Sequence, residues 1–159
     1  MSSERAPSIH VAQIKNTFIE IYNAFLKTTK QHLTKMEMVN VMIDAWSDTV
    51  SKRKFVGIRV SGTTAEYEFM SFLISCRELT MTSEQSRTKM WGVVLENHIN
   101  TVIKSFNISP EQIVSATSDA GSDIRKIFKT KYGAMWEWCV SHMLHCVAKD
   151  TKRCLRCIP

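Results

Sequence analysis

From Ser8 to about Leu33 the apolar residues Val11, Ile14, Phe18, Ile21 or Tyr22, and Phe25 recur at spacings of three and four. That is the period of an amphipathic helix. Its opposite face carries Lys15, Asn16, Glu20, Asn23, Lys27 and Lys30, so the apolar stripe is expected to cover a sheet. Residues 1–8 read as a disordered lead-in. Past Met38 the period changes. Val39–Asp44 (VNVMID) alternates with a hydrophobic bias and predicts a strand, which Ala45, Trp46, Ser47 and Asp48 leave. Thr49–Lys54 is polar and basic and predicts a hairpin loop. Phe55–Val60 predicts a second strand, Ser61–Thr64 a turn, and Glu66–Leu79 a long third strand. On the third strand Tyr67, Phe69, Ser71, Leu73 and Ser75 share one face, and Phe72, Ile74 and Cys76 the other. Three strands joined by short turns predict an antiparallel meander.

The helical period returns after Thr82, which with Gln85 has the spacing of a capping box. Trp91, Val94 or Leu95, Ile99, Val102 or Ile103, and Phe106 form the stripe of this helix. Ser109–Gln112 predicts a single helical turn that delivers the chain into a fourth strand, which ends in the run VSATSDAGSD, Val114–Asp123. Gly121 relaxes the backbone for a turn, and Ser122 or Asp123 sits where a helix favours a capping or acidic side chain. A basic helix to about Lys131, stopped at Tyr132-Gly133, precedes a short fifth strand over Ala134–Val140 and a last helix from Ser141 to about Lys149. A meander followed by alternating strands and helices predicts an α/β fold, a mixed sheet covered by helices. The ribonuclease H-like fold has this order. The predicted domain spans residues 9–150, with its N-terminal packing helix over 9–34 and a tail at 151–159.

With 159 residues, 44% of them hydrophobic and 23% charged, the chain is long enough for one domain with a core and is not of disordered composition. Its net charge of +6 favours a polyanionic partner. No apolar run approaches the length of a membrane span, and the first residues contain no apolar signal segment. Five cysteines, four of them in residues 139–159, point to a reducing intracellular compartment rather than to a disulfide framework.

Candidate chemistry begins with two aspartates at strand ends, Asp44 in IDAWSD and Asp119 in SATSDAGSD. In a ribonuclease H-like sheet the first and fourth strands are neighbours, so the two carboxylates would face each other closely enough to share magnesium or manganese. Alternatively each aspartate merely ends its strand and caps a turn. Cys139 and His142 form C-x-x-H at a strand-to-helix junction, with His145 and Cys146 one turn later. Lys52, Arg53 and Lys54, the helix cations Arg125, Lys126, Lys129 and Lys131, and the tail's Lys149, Lys152, Arg153 and Arg156 are candidate phosphate contacts or simply solvated faces. Cys139, His142, Cys154 and Cys157 have ligand types and pair spacings that suit structural zinc, with free surface thiols as the alternative for the last pair. Trp46 is expected to be a buried aromatic, His98 a surface or boundary residue, and Cys76 a small core residue. Asp48 is expected to solvate a loop, Asp123 to cap a helix, and the nine methionines to fill core gaps.

Three blocks of this chain resemble, in order, those of the catalytic core of hAT-superfamily transposases and the host proteins derived from them. Asp44-Ala45-Trp46-Ser47 is similar to the family's D-x-W-[ST]. Thr117-Ser118-Asp119-Ala120-Gly121-Ser122-Asp123 is similar to its T-D-x-[AG]-x-[DN], with one extra residue between threonine and aspartate. Cys139-Val140-Ser141-His142-Met143-Leu144-His145, ending at Lys149-Asp150, is similar to its C-x-[AS]-H-x-L-[NH] block and the aspartate that follows. The resemblance covers roughly residues 10–150. It implies a ribonuclease H-like DNA nuclease and strand transferase working with two aspartates, a glutamate and Mg²⁺ or Mn²⁺ in the nucleus. Asp44 and Asp119 would be the first two acids. Cys139 and His142 would be the C-x-x-H motif, its histidine near the active site and DNA.

The resemblance also implies what to look for and not find. The family's glutamate follows a large helical insertion far downstream, and no residue here takes its role. The family's dimerisation segment and its amino-terminal BED zinc finger have no counterpart in these residues. The expectation is a fragment of a transposase core, whether a truncated gene model, a decayed element or a domesticated protein, inactive alone for want of its third acid. The alternative is a non-catalytic nuclear module that binds DNA or protein. Its expected partners are DNA, a full-length transposase, or a second copy meeting it through a sheet face left uncovered.

Overall fold

The computed structural model describes residues 11–155, apart from 49, 52, 81–90 and 120, with side chains through Lys149. The lead-in at residues 1–8, the capping box of Thr82 and Gln85, Lys52, and the side chains of Cys154 and Cys157 lie outside the described residues. In chain order the elements are helix α1 (Val11–Leu33), strands β1 (Met36–Ser47), β2 (Lys54–Thr64) and β3 (Phe69–Glu78), helix α2 (Trp91–Ser105), a short helical turn at Pro110–Gln112, β4 (Ile113–Ser118), α3 (Ser122–Ile127), β5 (Met135–Trp138) and α4 (Val140–Leu155). The five strands form one sheet in the order β3-β2-β1-β4-β5. The first three are antiparallel, and β4 and β5 run parallel to β1 and to each other. This is the ribonuclease H-like sheet that the order of elements predicts. No helix among the described residues is long and apolar enough to cross a membrane.

Alternation builds the sheet. Val39, Val41 and Ile43 of β1, Val56, Ile58 and Val60 of β2, and Ile113 and Ala116 of β4 are buried on one face. Against them lies the stripe of α2, with Leu95, Ile99, Val102 and Ile103 buried, continued by Phe106. Helix α3 adds Ile124 and Ile127, then widens into a π-helical turn at Phe128–Tyr132 that Gly133 closes at φ +62°. The widened turn seats the fully buried Phe128 beneath the sheet. On the other face Met42, Trp46, Phe69 and Leu73 are exposed, so α2 and α3 cover one side of the sheet and apolar side chains remain exposed on the second.

The turn expected at Ser61–Thr64 is instead the end of β2, where Ser61, Gly62 and Thr63 still pair with β3, and four further expectations change. First, α1 forms but does not lie across the sheet. Val11, Ile14, Phe18, Ile21, Tyr22 and Phe25 are all exposed, and only Thr29 and Leu33 near its end are buried. Two residues separate α1 from β1, so the helix meets the domain only where β1 begins. There Gln112 donates from its side-chain amide to the carbonyls of Met36 (2.8 Å) and Leu33 (3.4 Å), and His32 stacks on Phe72. Second, β1 runs past Asp44 to Ser47, because Ala45, Trp46 and Ser47 keep pairing with β2. Third, β3 starts at Phe69 and contains a bulge. Ile58 pairs with Ser75, whereas Arg59 pairs with Leu73, so Ile74 is an extra residue and the faces exchange beyond it. Ser75 therefore turns to the core side and Cys76 to the open side with Leu73, where the uninterrupted alternation had them reversed. Fourth, α4 begins at Val140 and its backbone continues to Leu155, past the expected end near Lys149.

The bulge also accounts for His98, which is buried (8% exposed) rather than a boundary residue and shares a hydrogen bond of 3.1 Å with Ser75 Oγ. Burial, with a smaller contribution from the nearby Arg77, holds its imidazole below the usual 6.5. The unfolded chain then binds a proton that the folded one refuses. Stability is full above the unfolded value and falls as pH drops through it towards the folded value. Lowering the pH from about 7.5 to about 5.5 should therefore lower the free energy of unfolding of the wild type. Urea melts of His98→Gln, which keeps a partner for Ser75, should show that pH dependence largely abolished.

Two glycines of β2 differ in what a methyl group would meet. At Gly62 a Cβ would sit 2.6 Å from the carbonyl oxygen of Met38 and 2.9 Å from the sulfur of Met36. At Gly57 the nearest atom is Trp46 Cζ3 at 3.6 Å, an ordinary contact. Backbone in the neighbouring strand cannot yield as a side-chain tip can, so Gly62→Ala should cost about 1–3 kcal/mol in urea unfolding. Gly57→Ala should stay within about 0.5 kcal/mol of wild type.

Candidate functional site

The β1–β4 ladder ends with Ile43 opposite Ser118, while β1 continues against β2 alone. Asp44 is the next residue of β1, and Asp119 the next residue after β4. The two carboxylates thus emerge side by side where the parallel ladder opens, at the carboxyl end of the strands, the usual location of ligand sites in such sheets. Both line one cleft of about 560 Å³, together with Trp46, Gly57, Arg59, Leu73, Cys76, Thr117, Cys139, Ser141 and His142.

Local hydrogen bonds hold this edge. Ser118 is buried, donates its hydroxyl to the carbonyl of Asp119 (2.8 Å) and accepts from the indole N–H of Trp136 (3.0 Å). The backbone N–H of Cys139 donates to the carbonyl of Ser118 (2.8 Å), which ties the end of β5 to the end of β4. The carbonyl of Cys139 in turn accepts from the N–H of Met143, the first bond of α4. Cys139 is therefore the residue on which α4 starts, and His142 lies in its first turn at the cleft. On the other side, Asp119 Oδ1 accepts from the N–H of Gly121 (3.3 Å), which steadies the carboxylate at the turn.

The four residues Asp44, Asp119, Cys139 and His142, drawn from three separate stretches of sequence, are brought to one cleft. The basic residues are not. None of Arg53, Lys54, Arg125, Lys126 and Lys129 lines it. Arg53 pairs with Glu78 and lies over Phe55, Lys54 Nζ sits 4.2 Å from the centre of the Trp91 ring, and Arg125 lies over Trp136. Lys131 pairs with Glu96 at 2.7 Å, while Lys126 and Lys129 are exposed. Trp46 is not buried. It is 42% exposed, stacked on Phe55 with ring centres 5.6 Å apart, because β1 carries it onto the open face. Cys76, expected in the core, is exposed at the cleft by the bulge in β3. Asp48, expected only to solvate its loop, is tied into it: its carboxylate accepts from the Ser51 hydroxyl and from the N–H groups of Ser51 and Val50, bonds that lower its pKa. Asp123 lies in the first turn of α3, away from the cleft.

Arg59 is the residue that the sequence reading missed. It supplies the only Lys or Arg side chain among the cleft-lining residues, and it donates to Ser71 Oγ (3.4 Å). Its signal was available in the alternation of FVGIRV, which sets Arg59 on the face of Gly57, opposite the core valines.

The donor set fits a hard divalent cation in a limited way. Two carboxylates at adjoining strand ends suit magnesium or manganese, which keep several water ligands and commonly take one or two protein carboxylates. Among the described residues no group of three or more His, Cys, Asp or Glu side chains is gathered closely enough to hold a metal ion. The zinc alternative depends on Cys154 and Cys157, outside the described side chains, and its other members, Cys139 and His142, lie at the cleft with the carboxylates.

No protein-family model and no curated protein matches the chain. Among solved structures it is similar to Marinitoga piezophila Argonaute in complex with a 5′-hydroxyl guide RNA. That match has 14% identity over 65% of this chain and 16% of the Argonaute chain, with a TM-score of 0.38. The ribonuclease H-like assignment rests on the strand order and pairing.

Removing the Ser118 hydroxyl leaves the half-buried Trp136 N–H without its acceptor. Ser118→Ala should cost about 1–2 kcal/mol in chemical denaturation, and Ser118→Thr, which keeps the hydroxyl, should recover part of it.

Proposed function

We propose that this chain is the ribonuclease H-like core of a hAT-type DNA transposase, or of a protein derived from one, and that it acts on the phosphodiester backbone of DNA. The observation that carries this reading is the convergence of Asp44, Asp119, Cys139 and His142 on one cleft. These are the residues that the three family-like blocks single out, and they come together through the pairing of β1 with β4 and the bond from Cys139 to Ser118. Asp44 and Asp119 would hold a divalent cation. When bound, such an ion stabilises charge on a phosphoryl oxygen and makes a bound water more acidic. Arg59 offers a guanidinium to a phosphate in the same cleft, and His142 offers a ring nitrogen at its rim. On this reading the chain works in the nucleus, its partners are DNA and a full-length transposase, and the isolated chain binds the ion weakly and does not complete strand transfer.

A second reading, a non-catalytic nuclear module that binds DNA or protein, is favoured by one observation: two carboxylates, and no group of three metal-binding side chains, among the described residues. Magnesium or manganese titration separates the two. A ligand at ten times its dissociation constant adds about 1.4 kcal/mol to stability, which for a domain of this size raises the melting temperature by roughly 3–6 °C. The metal-dependent reading predicts this rise for the wild type and its loss in Asp44→Asn and Asp119→Asn. A melting temperature indifferent to both metals in all three proteins, with DNA binding that weakens steeply with salt and is unchanged in the variants, would leave only the binding module.

A further inference from the structure

The N-terminal half of α1 presents an apolar surface that its own domain does not cover. Val11, Ile14, Phe18, Ile21 and Phe25 are spaced three, four, three and four residues apart, and all five are exposed, Val11 to 81% and Phe18 to 68%. Alternating three and four is the a and d spacing with which one helix packs along another. A helix that covers a sheet would bury this stripe in its own domain, and α1 does not.

The pattern of charge names the kind of partner. With Val11, Phe18 and Phe25 at a positions, the neighbouring g positions are Thr17, Ala24 and Gln31, and the e positions are Lys15, Tyr22 and Thr29. The remaining charges, Glu20, Lys27 and Lys30, fall on c and f positions and point away from the seam. Two copies of this helix can approach with no like-charged pair across the seam other than one involving Lys15, in either relative direction. A strongly charged flank would select an oppositely charged partner; an uncharged flank on an apolar seam suits a helix of the same sequence.

A seam of two heptads is short for free peptides, whose helices must form and pair together. Here the helix is already held. Leu33 and Thr29 are buried, Leu26 packs against the core, and Gln112 bonds the carbonyl of Leu33. The ordering cost of the helical turns is met within the domain, so pairing has less to offset.

We infer that α1 is a self-association element, and that two copies of this chain pair through the Val11, Ile14, Phe18, Ile21 and Phe25 seams. The pairing is isologous, each copy presenting the same stripe to the other. It is independent of any activity at the Asp44–Asp119 cleft, and it uses a surface different from the open face of the sheet.

Sedimentation equilibrium of the whole chain from micromolar to several hundred micromolar tests it, with Phe18→Glu/Ile21→Glu and Leu73→Glu as variants. The expected result is a monomer–dimer equilibrium in the wild type, a dissociation constant at least about tenfold weaker in the α1 double variant, and one unchanged in Leu73→Glu. The α1 variant should melt at the wild-type temperature when both are measured at a concentration where the wild type is monomeric. A wild type that stays monomeric throughout overturns the inference. So does association abolished by Leu73→Glu but kept by the α1 variant, which assigns it to the sheet face. A large fall in the melting temperature of the monomeric α1 variant does the same, since the seam would then be packed within its own domain.

Discussion

Everything placed at the cleft depends on where the parallel ladder between β1 and β4 stops. Backbone pairing continues to Ile43 and Ser118 because Val41 and Ile43 on one strand and Ala116 and Ser118 on the other turn into the same buried layer. One residue later β1 keeps only its antiparallel neighbour, and β4 turns away at Asp119 and Gly121. A carboxylate on each strand at that point escapes the core without leaving its neighbour. Moving either aspartate by one residue in register would send its side chain to the opposite face, so the site is as secure as the alternation that fixes the ladder.

The covered and open faces of the sheet divide the labour. On the covered face α2, α3 and the widened turn around Phe128 supply apolar packing, and the buried polar groups His98 and Ser118 are satisfied, the first by Ser75 and the second by Trp136 and the Asp119 carbonyl. The open face holds the cleft, Arg59, and exposed apolar side chains such as Met42 and Leu73. Cys139 joins the two arrangements, since its backbone N–H closes the sheet edge and its carbonyl starts the helix that carries His142.

The sheet was legible in the sequence because period-two alternation with short turns leaves few other solutions, and VNVMID, FVGIRV and VSATSD all show it. The convergence of Asp44 and Asp119 followed once the strand order was recognised. What failed were the places where one extra residue or one long-range choice decides. The bulge at Ile74 leaves no mark in an apolar run such as FLISC, yet it sent Cys76 to the cleft and Ser75 to His98. An aromatic such as Trp46 is expected to be buried, but the strand extends far enough to present it on the open face. The stripe of α1 was read correctly as amphipathic, while its partner was not, because periodicity reports that a face is apolar and says nothing about what covers it. Arg59 escaped notice because a single cation within a strand has no local motif; only the fold shows that it shares a cleft with two carboxylates.

The central claim is that Asp44 and Asp119 hold one divalent cation between them. Paramagnetic broadening by substoichiometric Mn²⁺ in the amide NMR spectrum reports directly where such an ion sits. The account predicts selective loss of signals around Asp44, from Asp119 to Gly121 and around His142, with those of the distant acidic residues Glu37 and Glu66 preserved. Broadening spread evenly over exposed carboxylates, or concentrated away from the end of the β1–β4 ladder, would contradict it.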